Sequence, residues 1–236
     1  MNTVTIDGQA VTGLRFDKLP LWPRAARKYA TYQVPGRGQN LTYGLEDFED
    51  IELTLTAYLI GGTHIDDVYA WLSSGTQIVM STQPGVYGII KQVGKITPAR
   101  EGWAAHRIEI PLICAPFKYS IANDPMQLTD NPSGIQYDGT LYSLPVYVLR
   151  GVTGEASLTV HGVPLTIPGV TGGQDVYVDL TLRKIYTITD GVRTLVNNTD
   201  GAFWEFILRP HGMGGNIIAW SGATTGVTLI KNTRWL

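Results

Sequence analysis

Apolar and polar side chains alternate with a period of two along most of this chain. Ile51-Glu52-Leu53-Thr54-Leu55-Thr56-Ala57 is the clearest run, and Arg107-Ile108-Glu109-Ile110 and Ser157-Leu158-Thr159-Val160 repeat it. Val176 to Leu182 and Ile185 to Ile188 do the same. This period places one face of a strand in a core and the other in water. Between the runs stand His161-Gly162, Asp190-Gly191 and Asn198 to Gly201, residues that tolerate positive φ and close tight hairpins. Strands joined by such turns predict a mainly β protein, a sandwich or a partly closed barrel.

One stretch breaks the pattern. Ile65, Val68, Tyr69 and Leu72 recur at three- and four-residue spacing and predict a short helix, with Trp71 flanking the apolar face. Thr63 is placed to cap it, with Asp66 three residues on, and Gly75 to end it. About two turns of helix are marginal alone, so this one is expected to pack on a sheet. A second local feature is Tyr32-Gln33-Val34-Pro35-Gly36-Arg37-Gly38-Gln39-Asn40-Leu41. Pro35 fixes φ and Gly36 permits φ > 0, which predicts a hairpin with Arg37 at its tip.

The chain-breaking pairs Asn123-Asp124-Pro125 and Asp130-Asn131-Pro132 mark a boundary near residues 118–136. The expected domains are 1–125, holding strands and the helix, and 126–236, all β. Proline cannot donate to a ladder, so the boundary is expected to be an exposed linker. The last strand, 227–236, is open to either domain, because Trp235 offers a large apolar surface at its end.

Composition narrows the function. The 236 residues include 27 Gly and 13 Pro, and only 16% are charged against 44% hydrophobic. Globular domains average about 25% charged residues, so low charge points to a large buried or inter-subunit surface. A formal net charge of −2 leaves no basic excess to neutralise phosphates, so no sequence-specific nucleic-acid partner is expected. No apolar run reaches the ~18 residues of a membrane helix, and MNTVTIDGQAVTG has no basic region before an apolar core, so neither membrane insertion nor a secretion signal is expected. The single cysteine, Cys114, lies in an apolar run and reads as a buried small hydrophobe.

The sequence carries none of the common catalytic patterns. His64, His106, His161 and His211 form no zinc-type spacing. There is no nucleophile elbow, and Gly212-Met213-Gly214-Gly215 lacks the Lys-Ser/Thr of a phosphate loop. The acidic stretch 46–52 lacks the Asp-x-Asp-x-Asp-Gly calcium pattern. The expectation is a protein without enzyme activity, cofactor or metal.

The serial order of motifs resembles a known family. VTIDG is followed by VPGRGQNL, then Phe48-Glu49-Asp50-Ile51 opening a strand, then a helix ending in Trp71-Leu72. Ser81 to Tyr87 and Leu112 to Tyr119 come next, then Gly139-Thr140, Ser143-Leu144-Pro145, Asp190-Gly191, Arg209-Pro210 to Ile217, and a terminal Trp235. In this order the chain is similar to the distal tail proteins of long-tailed, non-contractile bacteriophages. The chain departs from the pattern at Gln39 and Asn40, where the family often carries an acid, and in the segment lengthened by Met213-Gly214.

The resemblance implies a structural virion protein at the tail tip, made in the host cytoplasm. It implies a tail-tube-like first domain with an extended hairpin and a galectin-like or carbohydrate-module-like second domain. It implies a homo-hexameric ring that joins the major tail tube protein to the tail-tip hub, with the tape measure protein and a tail-associated lysin or receptor-binding protein as further partners. By the same resemblance the Val34, Gly36 and Arg37 stretch lies on the hairpin that helps close the ring. The charge pattern agrees with such a contact. Arg24, Arg27, Lys28 and Arg37 have no intervening acid, and Glu46, Asp47, Glu49, Asp50 and Glu52 follow without a base. One patch of each sign per protomer suits a head-to-tail interface. The competing reading is a carbohydrate-binding module recognising host surface polysaccharide. Its candidate platform residues are Trp220, Tyr177 and Tyr186, while Trp204, between Phe203 and Phe206, reads as core.

Overall fold

The computed structural model describes residues 2–33, 41–101, 105–170, 172–196 and 203–236, without the side chains at 41, 42, 44–46, 100, 101 and 105. The fold is mainly β. The described chain divides into two compact units, residues 1–121 with Leu236, and residues 122–235.

The first unit contains β1 (Val4–Ile6), β2 (Leu14–Phe16), β3 (Arg27–Tyr32), β4 (Leu41–Phe48), β5 (Ile51–Leu59), α1 (Ile65–Ser73), β6 (Gln77–Met80), β7 (Val86–Val93), β8 (Ala99–Glu101) and β9 (Ala105–Ser120). Its main sheet runs β1-β6-β7-β9-β5-β2, with β8 paired to β9. The strands at the two ends of this order are consecutive in the chain, and turns at Ile6–Gln9 and Val11–Leu14 join them, so the sheet curls nearly closed. The period-two signal of β5 is real: Ile51, Leu53, Leu55, Ala57 and Leu59 are buried and the residues between them are not. Opposite them in register stand Cys114, Leu112, Ile110 and Ile108 of β9, also buried.

The helix closes this core, with three differences from the sequence expectation. Its N-cap is His64, whose N–H donates to the Asp67 carboxylate at 3.2 Å. Thr63 has the better capping chemistry, but its hydroxyl donates instead to the Thr12 and Ile60 carbonyls. The buried stripe is Val68, Trp71 and Leu72, with Tyr69 turned to solvent. Trp71 takes the inner place because its indole N–H reaches the Gln9 carbonyl at 2.8 Å. Ser74 is the C-cap, and Gly75 is not left-handed. A Cβ at Gly75 would overlap the Asp7 carboxylate, which accepts from the Thr76 and Gln77 N–H groups at 3.3 and 2.8 Å.

Cys114 is wholly buried, and burial followed by the nearby Asp50 carboxylate pushes its thiol from 9.0 up to about 12. The folded state therefore holds this proton more tightly than the unfolded chain. The stability this gives is complete below the unfolded value and is lost as pH rises through it toward 12. Native protein should resist alkylation by iodoacetamide at about pH 8 and react fully in denaturant. Prompt native labelling, followed by mass spectrometry, would contradict this burial.

The second unit contains β10 (Met126–Gln127), β11 (Ser133–Ile135), β12 (Val146–Val152), β13 (Ala156–Val160), β14 (Val163–Ile167), β15 (Gln174–Asp179), β16 (Lys184–Thr189), β17 (Val192–Leu195), β18 (Asn216–Gly222) and β19 (Gly226–Ile230). One antiparallel sheet runs β10-β19-β12-β15-β16-β17 and the other β11-β18-β13-β14. Leu149, Val176, Val178 and Leu229 from the first and Leu158, Val160, Leu165 and Ile218 from the second join one buried cluster, so the sheets face each other as a sandwich. Hairpin turns sit at His161-Gly162 and Asp190-Gly191, with φ positive at both residues of each pair, as primed turns require. The Asn198 to Gly201 turn lies outside the described residues.

Three boundaries differ from the sequence reading. β15 ends at Asp179, because its carboxylate accepts the Leu182 N–H at 2.9 Å and folds residues 180–183 into a turn. The Pro125 and Pro132 region is no free linker: β10 pairs with β19 and β11 with β18. Each proline precedes its short edge strand, where no ladder donor is needed. The last long strand, β19, is hydrogen bonded on both sides within the second unit's sheet, and Leu236 packs against the first unit's core.

Candidate functional site

Two surfaces among the described residues gather exposed aromatic side chains. The first is the β3–β4 ribbon, a two-stranded sheet of its own. Ala30 pairs with Tyr43 and Tyr32 with Leu41, so Tyr32 and Tyr43 belong to one face, and Tyr29, one residue out of phase, belongs to the other. Tyr32 is 60% exposed, Tyr43 66% and Tyr29 62%. Phe48 at its base packs against the first unit's core, while its other described side chains are mostly exposed, and a two-stranded ribbon by itself is marginal in water. It is the kind of element that another surface completes.

At its base the charge pattern of the sequence is partly engaged. Arg24, Arg27 and Lys28 are exposed, and the Arg27 guanidinium lies 5.8 Å from the Phe48 ring centroid. Asp47 and Glu49 are exposed as well. Asp50 pairs with Lys91 of the same chain at 2.6 Å, which makes it a weaker candidate for a contact with another protomer. The Glu46 side chain and the whole of Val34, Gly36 and Arg37 lie outside the described residues.

The second surface is a cleft in the sandwich. Burial alternates along residues 205–210, with Phe206, Leu208 and Pro210 buried and Glu205, Ile207 and Arg209 partly exposed. A bridge fixes this phase: Ser143 N–H donates to the Leu208 carbonyl at 2.9 Å and Leu208 N–H to the Ser143 carbonyl at 3.2 Å. Just before it, Phe203–Glu205 form a 3-10 turn, which breaks the parity and turns Trp204 outward, 72% exposed. Trp204 lines an open cleft of about 380 Å³ with Tyr142, Val163, Glu205, Arg209 and Met213. The Tyr142 hydroxyl donates to the Met213 sulfur at 3.3 Å. The Arg209 main chain is clamped on both sides by Asn216, which accepts its N–H at 2.7 Å and donates to its carbonyl at 3.0 Å.

The platform residues expected from sequence are placed otherwise. Tyr177 and Tyr186 stack at 5.3 Å and 4°, but Tyr186 is only 5% exposed, and Arg193 covers it at 5.0 Å. Burial and the Asp179 carboxylate raise the Tyr186 phenol, with Arg193 opposing. Trp220 shares the inward phase of Ile218 on β18 and packs against the core. It sits in the other sheet from the tyrosine pair, so the three form no common surface. The exposed aromatics that line one cleft are instead Trp204 and Tyr142. The Phe206-x-Leu208-x-Pro210 alternation was the available signal for the cleft wall, but the preceding turn left no mark in the pattern.

Among the described residues no group of three or more histidine, cysteine or carboxylate side chains could hold a metal ion. No helix among them is long and apolar enough to cross a membrane.

A mainly β chain with a nearly closed sheet and a two-sheet sandwich is the class this fold defines. Among solved structures it is similar to the crystal structure of the SPP1 Dit (gp 19.1) protein, a paradigm of hub adsorption apparatus in Gram-positive infecting phages. The likeness covers 100% of both chains with a TM-score of 0.66 at 15% sequence identity. No family model matches the sequence, and no curated protein matches it.

Proposed function

We propose that this protein is a structural, non-catalytic component of a phage tail tip. It forms a homo-hexameric ring between the major tail tube protein and the tail-tip hub, with its first unit as the ring and its second, galectin-like unit as the attachment side. The supporting observation is the likeness of fold to SPP1 Dit over the whole of both chains. The tape measure protein and a lysin or receptor-binding protein of the hub are the neighbours this place in a virion supplies, after synthesis in the host cytoplasm.

The β3–β4 ribbon gives the ring reading a physical basis. Tyrosine and arginine concentrate the energy of protein interfaces, and truncating a central tyrosine costs about 2 kcal/mol or more. Here Tyr32 and Tyr43 share one face, and both are exposed. Every contact in a closed ring repeats, so the loss multiplies around it. The double change Tyr32→Ser with Tyr43→Ser should leave the far-ultraviolet circular dichroism unchanged and shift light-scattering mass from ring to protomer. A wild type that stays monomeric up to its solubility limit, with no rings in negative stain, would overturn the ring. A hexamer indifferent to both changes would move the interface off this ribbon. The carbohydrate-module reading loses support from its original platform, with Tyr186 buried and Trp220 partly buried against the core in the other sheet.

A further inference from the structure

We propose that the cleft bounded by Trp204, Tyr142 and Met213 is a binding site for a pyranose unit of a neutral glycan. Single exposed apolar side chains are ordinary, but three large ones around one cleft are not. Trp204, Met213 and Tyr142 are 72%, 56% and 42% exposed and line the same depression. Its volume of about 380 Å³ falls in the range of roughly 300–1,000 Å³ that small-molecule sites occupy.

The lining chemistry selects the ligand. The negative face of an indole attracts the slightly positive C–H groups on one side of a sugar ring. Glu205 and Arg209 stand at the same cleft, an acceptor-only and a donor-only group, and among the described residues neither forms an ion pair. Sugar hydroxyls can donate to the first and accept from the second, and charge-assisted bonds of this kind are the strong ones. One charge of each sign leaves this lining with no net charge, which suits a neutral ligand. The Tyr142 hydroxyl spends its proton on a thioether sulfur, a weak acceptor that a sugar hydroxyl would readily replace.

The wall is also held still before any ligand arrives. Buried Phe206 and Leu208 anchor the segment from behind, the Ser143 bridge fixes its phase, and Asn216 clamps the Arg209 main chain. Preorganisation of this kind lowers the ordering penalty of binding. The proposal goes beyond the tail-ring reading and does not rest on it: failure of the ring shows in the oligomeric state, and failure of the cleft in glycan binding.

The test uses the full chain on an array carrying neutral oligosaccharides of glucose, galactose and N-acetylhexosamines beside anionic glycans. The strongest neutral trisaccharide is then titrated by calorimetry against wild type and variants. Wild type should retain at least one neutral glycan. Trp204→Ala should weaken it about tenfold or more, the size of a lost aromatic contact. Arg209→Met should weaken it too, and Trp204→Phe, which keeps a ring, should recover most of the affinity. Trp204 is exposed, so thermal melts of its variants should match wild type. Retention of no neutral glycan at millimolar concentration, retention of anionic glycans alone, or undiminished binding by Trp204→Ala would each overturn the proposal.

Discussion

Replacing Phe206 with alanine is expected to destabilise the protein by ~3–5 kcal/mol, the range for deleting a large aromatic side chain from a packed core. Phe206 is 0% exposed, and its carbonyl accepts the hydroxyl of Tyr147, itself wholly buried, at 2.8 Å. Burial in this core drives the Tyr147 phenol far up, so it remains a proton donor to that carbonyl throughout the working range. The cavity left by alanine therefore lies beside a polar pair that cannot move without losing its bond. Urea denaturation should show the lower midpoint. Amide hydrogen exchange should then locate the loss, with β12, β13, β15 and β18 losing protection while β5 and β9 keep theirs. Equal loss in both sets would mean that the two cores unfold as one cooperative body, against the two-domain organisation proposed from the sequence. A loss below about 1 kcal/mol would mean that the site collapses around the missing ring.

The parts of this fold that sequence reasoning reached are those where a local rule and the tertiary structure agree. Ile51 to Leu59 alternates because one of its faces is buried and the other is not, and the pattern needs no knowledge of partners. His161-Gly162 and Asp190-Gly191 could be read as turns because both positions need positive φ. The misses occur where a side chain is spent on a distant partner. Thr63 looked like a cap, but its hydroxyl serves Thr12, far away in sequence. Trp71 looked peripheral, but the Gln9 carbonyl draws its indole inward. Gly75 looked like a helix terminator, whereas it is small because Asp7 crosses over it.

The candidate sites follow the same division. The aromatic content of β3 and β4 was visible, yet nothing in the residues said that these strands would form a sheet of their own with Tyr29, Tyr32 and Tyr43 exposed. In the sandwich, Trp204 sat in an apolar run, Phe203 to Ile207, and read as core. A 3-10 turn of three residues, set by how the chain enters the bridge with Ser143, sends Trp204 out and Phe206 in. Trp220 gave the opposite error. It stood among the candidate platform residues, but its phase relative to Ile218 turns it partly toward the core. Parity along a strand was the better guide than the polarity of its neighbours.

Asn216→Ala is the second large expected effect, a loss of about 2–4 kcal/mol, because it strands two main-chain groups rather than one side chain. Asn216 is nearly wholly buried at the start of β18. Its amide closes the loop 209–216 by accepting the Arg209 N–H and donating to the Arg209 carbonyl, with the Ile135 carbonyl as a further acceptor at 3.5 Å. Alanine makes none of these bonds. Gly212 and Gly214, at φ of +92° and +97°, give the loop its path but no alternative partner for Arg209. Asn216→Asp separates the contributions. It keeps the acceptor for the Arg209 N–H, loses both donations, and buries a carboxylate that faces two carbonyls. That carboxyl would titrate above the usual ~3.9 of an unfolded aspartate. With the folded pKa raised, the neutral form is favoured in the fold, so the variant should be most stable at low pH and lose stability as pH rises through the folded value. Urea midpoints for the three proteins across acidic to neutral pH test this directly. A midpoint unchanged in Asn216→Ala would show that the Arg209 main chain finds other partners. A pH profile of Asn216→Asp parallel to wild type would show that its carboxylate reaches water, and with it that this end of β18 is not the closed clamp its hydrogen bonds describe.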